Sequence, residues 1–437
     1  MKLIAKKSRL KGTVTIPASK SHTIRAVAIA SLASGNSTIR APLLSSDTSA
    51  AVNTYQALGA KFDTSDPNVW KVSGNSGRIA VPNKTIDVLN SGTTLRIAMG
   101  SAALAKPGRS IQFTGDEQIQ ARPVAPLIDA LNELGADCAC LKNNGCAPVT
   151  VAGRLKGGRT SIACKTSQYL SSLLLCTPLA DRDSEINVTL LNEPDYVQMT
   201  LDWLDKQQIE YDNHAMLQFH IKGRQSYKPF DATIPADFSS ATFFLCAAAL
   251  LGDEVTILGL DFADSQPDKA VVDYLKAMGA DITIAPDCVI VKAAPLKAAE
   301  IDMNRTPDAL PAMAVTAAFA EGTTKLLNVP QARNKETDRI SCMAKELAKM
   351  AVQTEELPDG LIIHGSQNHL APRFTGGLTG GLLLHGHADH RIVMALAIAG
   401  LALEDQSTID TAEAMSVTFP DFATLMQNLG ANIKTTE

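Results

Sequence analysis

The sequence is poor in aromatic residues, 5% of the total with two tryptophans, so its cores must be packed mainly by aliphatic and small side chains. No Cys-x-x-Cys pair occurs among its eight cysteines, Cys138, Cys140, Cys146, Cys164, Cys176, Cys246, Cys288 and Cys342. That leaves no zinc-ribbon or thioredoxin-like spacing. Several lie in apolar runs, such as Leu175-Cys176 and Leu245-Cys246, where a thiol packs as a small hydrophobe. They are read as reduced structural thiols of a cytoplasmic protein. Positive charge is not in excess. The formal net charge is −5, which supplies no global field for nucleic acid or an acidic membrane. The longest apolar run, Ile392–Leu403, has 12 residues and falls short of a membrane span. The first residues, MKLIAKKSRLKGTVTIP, are basic but have no apolar stretch of the secretory kind. No long Gly/Ser or Pro linker divides the chain.

What is present is length and repetition. The chain has 437 residues, 45% hydrophobic and 19% charged, enough for two sizeable cores. A helix end followed by a strand start recurs as Ala57-Leu58-Gly59-Ala60, Glu133-Leu134-Gly135-Ala136, Ala277-Met278-Gly279-Ala280 and Asn428-Leu429-Gly430-Ala431. Weaker copies stand at Lys206-Gln207-Gln208-Ile209 and Lys349-Met350-Ala351-Val352. Positions 59, 135, 208, 279, 351 and 430 are separated by 71 to 79 residues. Six units therefore fill the chain. The glycine after the last apolar helical residue reads as a left-handed C-cap. The segment after it, as in Ala280-Asp281-Ile282-Thr283-Ile284, alternates like a half-buried strand. Small-residue helices are expected at Ile24–Leu32, Leu95–Leu104, Leu170–Leu175, Ala241–Leu251 and Ile392–Leu403. They are apolar nearly all round and hence buried. Six such α/β units divide naturally into two lobes of three.

Four segments place polar, small or basic residues directly before a buried helix: Ala18-Ser19-Lys20-Ser21-His22-Thr23-Ile24-Arg25, Asn90-Ser91-Gly92-Thr93-Thr94-Leu95-Arg96, Lys165-Thr166-Ser167-Gln168-Tyr169 and Asp237-Phe238-Ser239-Ser240-Ala241. Each alone reads as an N-cap. Together, at repeat-related positions and with Lys20, Arg25 and Arg96 beside them, they read as anion sites on free backbone N–H groups. Arg122 precedes Pro123 and so lies in extended backbone, suited to holding a carboxylate or phosphate with both arms. Its plainer role is a surface pair with Glu117. The run Asn334-Lys335-Glu336-Thr337-Asp338-Arg339 opens a helix at Ile340–Met350, and by itself is a solvated helix start. Asp389-His390-Arg391 precedes the last buried helix. His385 and His387 lie upstream in a loop, but no ligand spacing for a metal accompanies them. His22 is expected on a helix surface.

Taken together, Lys20-Ser21 with Arg25, Asn90-x-Gly92-Thr93 with Arg96, Gly115-Asp116-Glu117 with Arg122-Pro123, Lys335-Glu336-Thr337-Asp338-Arg339 and Asp389-His390-Arg391 resemble the 5-enolpyruvylshikimate-3-phosphate synthase family of enolpyruvyl transferases, in order and spacing, over essentially the whole chain. The resemblance implies a two-lobed inside-out α/β barrel of six βαβαββ units, three per lobe. One lobe would span 19–235 and carry most acceptor contacts. The other would combine 1–18 with 236–437, with the active site in the cleft between them.

The resemblance also implies substrates, phosphoenolpyruvate and shikimate 3-phosphate, with no metal or cofactor and with the chain acting as a monomer. Phosphoenolpyruvate would be held by Lys20, Gly92, Arg122, Gln168, Lys335, Arg339 and Arg391. Shikimate 3-phosphate would be held by Ser21, Arg25, Thr166, Ser167, Gln168, Tyr196, Asp308, Gln331 and Lys335. Lys20, Asp308 and Glu336 would be catalytic. Asp308 would orient or deprotonate the attacking hydroxyl, Glu336 would move the methylene proton, and Lys20 would protonate the leaving or bridging oxygen.

Two departures from the family pattern bear on the phosphate contacts. Where many members read Ser-x-Pro-Tyr, this chain reads Asn192-Glu193-Pro194-Asp195-Tyr196, and both acids are expected to repel a phosphate. Val417 stands where some members have Lys. Rival readings are the sister transferase acting on UDP-N-acetylglucosamine, an RNA 3′-phosphate cyclase-like protein, and an inactive binding homologue. The first uses a loop cysteine, and none lies between Thr114 and Arg122. The second needs a basic strip, which the charge balance lacks. The third is disfavoured by intact Lys20, Asp308, Glu336 and Arg339.

Overall fold

The computed structural model describes residues 1–286, 288–365 and 381–437. The chain forms two compact units: Ala18–Ile234, and Met1–Pro17 together with Pro235–Glu437. Each has its own hydrophobic core. Among the described residues each contains three four-stranded sheets, and all six sheets have one pairing pattern. Two strands run parallel, the second pairs antiparallel with a third, and the third pairs antiparallel with a fourth. In the contiguous unit the parallel pairs are Asp231–Thr233 with Asn36–Arg40, Ile86–Asp87 with Ile111–Thr114, and Gly158–Cys164 with Ser184–Leu191. In the other unit they are Leu10–Thr15 with Gly252–Leu258, Glu300–Asp302 with Gly322–Leu327, and Leu382–Leu384 with Ser407–Ile409. The first strand, Lys2–Lys6, lies between Ser407–Ile409 and Asn432–Thr436.

Parallel strands need a crossover connection. A buried helix precedes the second strand of every pair, and in four of the six pairs that helix joins the two strands directly. The helices are Lys20–Leu32, Gly92–Ala102 and Ser167–Cys176 in one unit, and Phe238–Leu251, Leu310–Ala318 and His390–Ala402 in the other. In the second unit their alanine-rich sequences let them pack closely: Leu310–Ala318 touches both His390–Ala402 and Phe238–Leu251. The helix Leu310–Ala318 is absent from the sequence expectations. Pro311 reads as a breaker there, yet it falls in the first turn, where proline is tolerated.

The repeated helix end takes one geometry at all six positions. Gly59, Gly135, Gly279 and Gly430 have φ between 92° and 103°, and Gln208 and Ala351 adopt φ 57° without glycine's freedom. The next residue closes the turn: Ala60 donates to the Tyr55 carbonyl, Ile209 to Leu204, Ala280 to Leu275, Val352 to Leu347 and Ala431 to Met426, at 2.9–3.1 Å. These bonds satisfy carbonyls that the helix end would otherwise orphan. The chain thus reverses at fixed intervals, and the buried helices recur in register. All eight cysteines are free, and burial pushes the thiols of Cys138, Cys164 and Cys246 up to about 12. Among the described residues no helix is long and apolar enough to cross a membrane.

Candidate active site

In the unit Ala18–Ile234 the chemistry gathers at the starts of the three buried helices. Ser19 caps the first, accepting from the His22 N–H at 3.5 Å, and Lys20 and Ser21 stand in the opening turn. Lys20 Nζ lies 3.1 Å from Asp47 Oδ2. Asp47 sits in the first turn of helix Ser46–Ala57, which Ser45 and Thr48 close with a reciprocal capping box. Arg25 is buried one turn further in. Its Nε donates to Thr200 Oγ1 (2.9 Å), its Nη1 to the Ser21 carbonyl (3.0 Å), and its Nη2 to the Tyr196 carbonyl (2.8 Å) and Ser171 Oγ (3.3 Å). Burial lowers its guanidinium to about 10, against the opposing pull of Tyr196 and Asp202. It remains charged near neutrality and ties three helices together. His22 is a correction to the surface expectation: it is buried, and its Nδ1 accepts from Trp203 Nε1 at 3.0 Å. Trp203 shields it from water, which the local sequence around His22 does not foretell.

The second cluster joins Gly92, Arg122 and Gln168 through Arg96. Arg96 is 2% exposed. Its Nη1 donates to the Gly92 carbonyl (3.1 Å) and Gln168 Oε1 (3.0 Å), and its Nη2 to the Pro123 carbonyl (3.0 Å). Gln168 Nε2 donates in turn to Thr93 Oγ1 at 3.1 Å, and the Tyr169 hydroxyl to the Pro123 carbonyl at 2.6 Å. The Arg122 backbone is extended, φ −89° and ψ 127°, and its side chain is buried rather than paired outward on the surface. A Cβ built on Gly92 would fall 2.7 Å from Arg122 Nη1, so only glycine leaves that guanidinium its place.

Thr166 caps the third helix, and Ser167 is its first residue. Both meet Glu193. One carboxylate oxygen, Oε2, accepts from the Ser167 N–H (3.1 Å), Ser167 Oγ (2.7 Å) and Thr166 Oγ1 (3.3 Å). Glu193 is therefore not an outward repelling charge but a buried acid seated on that helix start. Tyr196 lies in the first turn of helix Pro194–Lys206, with its carbonyl on Arg25.

In the other unit the charged residues form one network. Asp308 sits in the turn Pro307–Ala309, immediately before helix Leu310–Ala318. Its Oδ1 is 2.8 Å from Arg339 Nη1 and 3.5 Å from Lys335 Nζ, and its Oδ2 is 3.0 Å from Arg391 Nη2. Arg339 opens helix Arg339–Lys349, whose cap Asp338 accepts from the Ser341 N–H. The Arg339 side chain is 1% exposed and also meets Glu336 Oε2 at 2.6 Å and Asp389 Oδ2 at 2.8 Å. Three carboxylates thus outweigh its burial, and its guanidinium is raised well above the ordinary value. Burial disfavours the charged form of Asp389, but the charge of Arg339 prevails and holds that carboxyl below its ordinary range. Asp389 also accepts from the Arg391 N–H at 2.8 Å, which caps helix His390–Ala402. Gln331 lies in the turn Pro330–Asn334, beside the turn carrying Asp308, and donates to the Asn304 carbonyl at 2.8 Å. His385 and His387 are taken by carboxylates, Asp410 at 2.7 Å and Glu346 at 3.0 Å. Among the described residues no group of three or more His, Cys, Asp or Glu is arranged to hold a metal ion.

The candidate residues therefore fall into two sets. Lys20, Ser21, Arg25, Gly92, Arg122, Thr166, Ser167, Gln168 and Tyr196 belong to one unit, and Asp308, Gln331, Lys335, Glu336, Arg339 and Arg391 to the other. The sequence did not mark Asp47, Thr93 or Asp389 as partners of these groups. Only the capping pattern Ser45-Ser46-Asp47-Thr48 was there to be read.

The family sequence model described as EPSP synthase (3-phosphoshikimate 1-carboxyvinyltransferase) matches residues 4–426. The chain belongs to this family. Its relatives include proteins named 3-phosphoshikimate 1-carboxyvinyltransferase from Acetivibrio thermocellus, 52% identical with both chains fully covered, and from Ruminiclostridium cellulolyticum, 49% identical over 99% of this chain and all of that one. A third, from Methanocella arvoryzae, is 43% identical over 98% of each chain. Among solved structures, an EPSP synthase from Acinetobacter baumannii superposes with a TM-score of 0.81 at 24% identity, with both chains fully covered. An enolpyruvyl transferase from Streptomyces tendae does so at 0.78 and 20%, covering all of this chain and 98% of its own. At these identities the structures speak for the fold, which is the two-lobed α/β architecture of this family.

Proposed function

We propose that the chain transfers the enolpyruvyl group of phosphoenolpyruvate to the 5-hydroxyl of shikimate 3-phosphate and releases inorganic phosphate. The observation that carries this reading is Asp308, a carboxylate with Lys335, Arg339 and Arg391 within 3.5 Å and with Glu336 sharing Arg339. Acids held among cations suit proton transfer beside anionic substrates.

In this reading the 5-hydroxyl oxygen bonds to C2 of phosphoenolpyruvate while a proton is added to C3. The resulting tetrahedral adduct then loses phosphate from C2 and a proton from C3, which restores the double bond. Asp308 orients the hydroxyl and takes its proton. Glu336 delivers the C3 proton and later removes one. Lys20 protonates the phosphate oxygen as it leaves. Phosphoenolpyruvate draws on Lys20, Gly92, Arg122, Gln168, Lys335 and Arg391. Arg339, four of whose five N–H donors go to carboxylates, contributes its charge and its remaining Nη1 donor. Shikimate 3-phosphate draws on Ser21, Thr166, Ser167, Tyr196 and Gln331, with Arg25 holding the helices that present them. The reading requires both residue sets to act on one pair of substrates. It needs no metal, organic cofactor, nucleic acid or second copy of the chain.

The test is phosphate release from purified protein given both substrates in the presence of EDTA. Steady release with shikimate 3-phosphate and none with UDP-N-acetylglucosamine is the expected result. The reverse preference, or no release with either acceptor, would refute it.

A further inference from the structure

Glu193 departs from what a phosphate-binding loop should contain, and its geometry is specific. It is 2% exposed and holds left-handed backbone, φ 59° and ψ 51°, directly before Pro194. A non-glycine residue rarely stays in that region unless its surroundings fix it. Here the side chain reaches back to the preceding buried helix, Ser167–Cys176. There Oε2 receives an amide N–H and two hydroxyls, from Ser167 and Thr166. Three donors converging on one oxygen at a helix start form a seat for an anion. The proposed function gives Thr166 and Ser167 to the acceptor, and of its groups the phosphate is the one that such a set of donors suits. The seat that phosphate needs is occupied by a carboxylate of the chain itself.

We propose that Glu193 is a specificity-determining residue of the acceptor site, an internal anion that the phosphate of the acceptor must displace. The inference rests on the acceptor assignment above. A carboxylate next to Asn192, whose N–H donates to the Cys164 carbonyl at 3.1 Å, is tethered at the seat and competes at high effective concentration. The apparent affinity for a phosphorylated acceptor is then divided by the fraction of molecules whose seat is open. An acceptor without phosphate does not contest the seat and loses nothing. The chain should therefore discriminate between shikimate 3-phosphate and shikimate less sharply than it would with a neutral side chain at position 193. Phosphoenolpyruvate, assigned to other groups, should be indifferent to the change.

The experiment compares wild type with Glu193→Gln. The amide keeps an acceptor for the Ser167 N–H but removes the charge. The expected result is a KM for shikimate 3-phosphate about tenfold lower, with the KM for phosphoenolpyruvate unchanged. The ratio of kcat/KM for shikimate 3-phosphate to that for shikimate should rise by a similar factor, and this ratio does not depend on how much protein is folded. An unchanged or falling ratio would overturn the proposal. A second readout does not depend on turnover: millimolar inorganic phosphate should raise the unfolding temperature of Glu193→Gln more than that of wild type. Equal shifts would overturn the occupied seat even if neither protein turned over. Absence of turnover in wild type with a phosphate effect confined to the variant would instead reject the assigned reaction and keep the seat.

Discussion

Replacing Gly92 by alanine puts one methyl group where the structure has least room for it. The new Cβ would lie 2.6 Å from Arg96 Nη1, 2.7 Å from Arg122 Nη1 and 2.8 Å from Arg122 Cζ. Comfortable contacts begin at about 3.5 Å, so each guanidinium must retreat by roughly 0.7–0.9 Å. Arg96 is tied to Gly92, Gln168 and Pro123 and resists, so most of the displacement falls on Arg122. The atoms that move are ends of flexible side chains, and alanine favours a helix over glycine by about 0.8–1 kcal/mol, so stability should hold. Binding should not. A hydrogen bond to a charged group contributes about 1.5–3 kcal/mol, and losing one to phosphoenolpyruvate raises KM by about 10- to 150-fold. The assay is phosphate release with phosphoenolpyruvate varied at saturating shikimate 3-phosphate, with a denaturant melt alongside. A KM within twofold of wild type, with the fold intact, would refute the assignment of Arg122.

Other perturbations separate chemistry from architecture. Glu336→Gln should bind both substrates, seen by calorimetry, and lose about 10²–10⁴-fold in kcat; turnover within twofold of wild type would reject the proton-transfer role. Arg339→Met leaves Asp308, Glu336 and Asp389 without their shared cation and should destabilise the protein by about 3–5 kcal/mol in urea unfolding, with a loss under 1 kcal/mol as the contrary result. Acid should act on the same unit. Asp389 titrates below its ordinary range, and so do Glu346 and Asp410, where hydrogen bonds from His387, Lys349 and His385 overcome burial. Depressed carboxyls lend stability that is fully present above the unfolded value of about 4 and is lost as pH falls through the folded one. The urea midpoint should hold from neutrality down to about pH 5 and drop below about pH 4, and equal midpoints at pH 6 and pH 3 would contradict this. Gln208→Gly relieves a left-handed side-chain position and should raise stability by about 0.5–1 kcal/mol; a lower melting temperature would show that the helix end is not strained.

The repeat was legible because it is written in backbone chemistry. Glycine marks four of the six helix ends, and the interval alone located Gln208 and Ala351, whose φ of 57° the residue types would not suggest. Buried helices were legible by composition, except Leu310–Ala318, where Pro311 masked a first turn. Basic and acidic site residues stood out as motifs. Their partners did not. Asp47 pairs with Lys20, and Asp389 with Arg339 fifty residues away, through tertiary packing that no local pattern encodes. Glu193 was legible as an anomaly but not as a solution: its charge was evident, while its direction followed from a left-handed turn before proline.

The strand Leu10–Thr15 leads into the helix Lys20–Leu32 yet pairs with Gly252–Leu258, and Lys2–Lys6 finds both its neighbours only after residue 406. During synthesis, Ala18–Ile234 is complete well before the partners of Lys2–Lys6 leave the ribosome, so it is free to collapse first. Lys2–Lys6 must wait as an unpaired ribbon for nearly the whole chain to arrive. A nascent chain halted near residue 240 should then resist protease across its middle and remain open to it at its start.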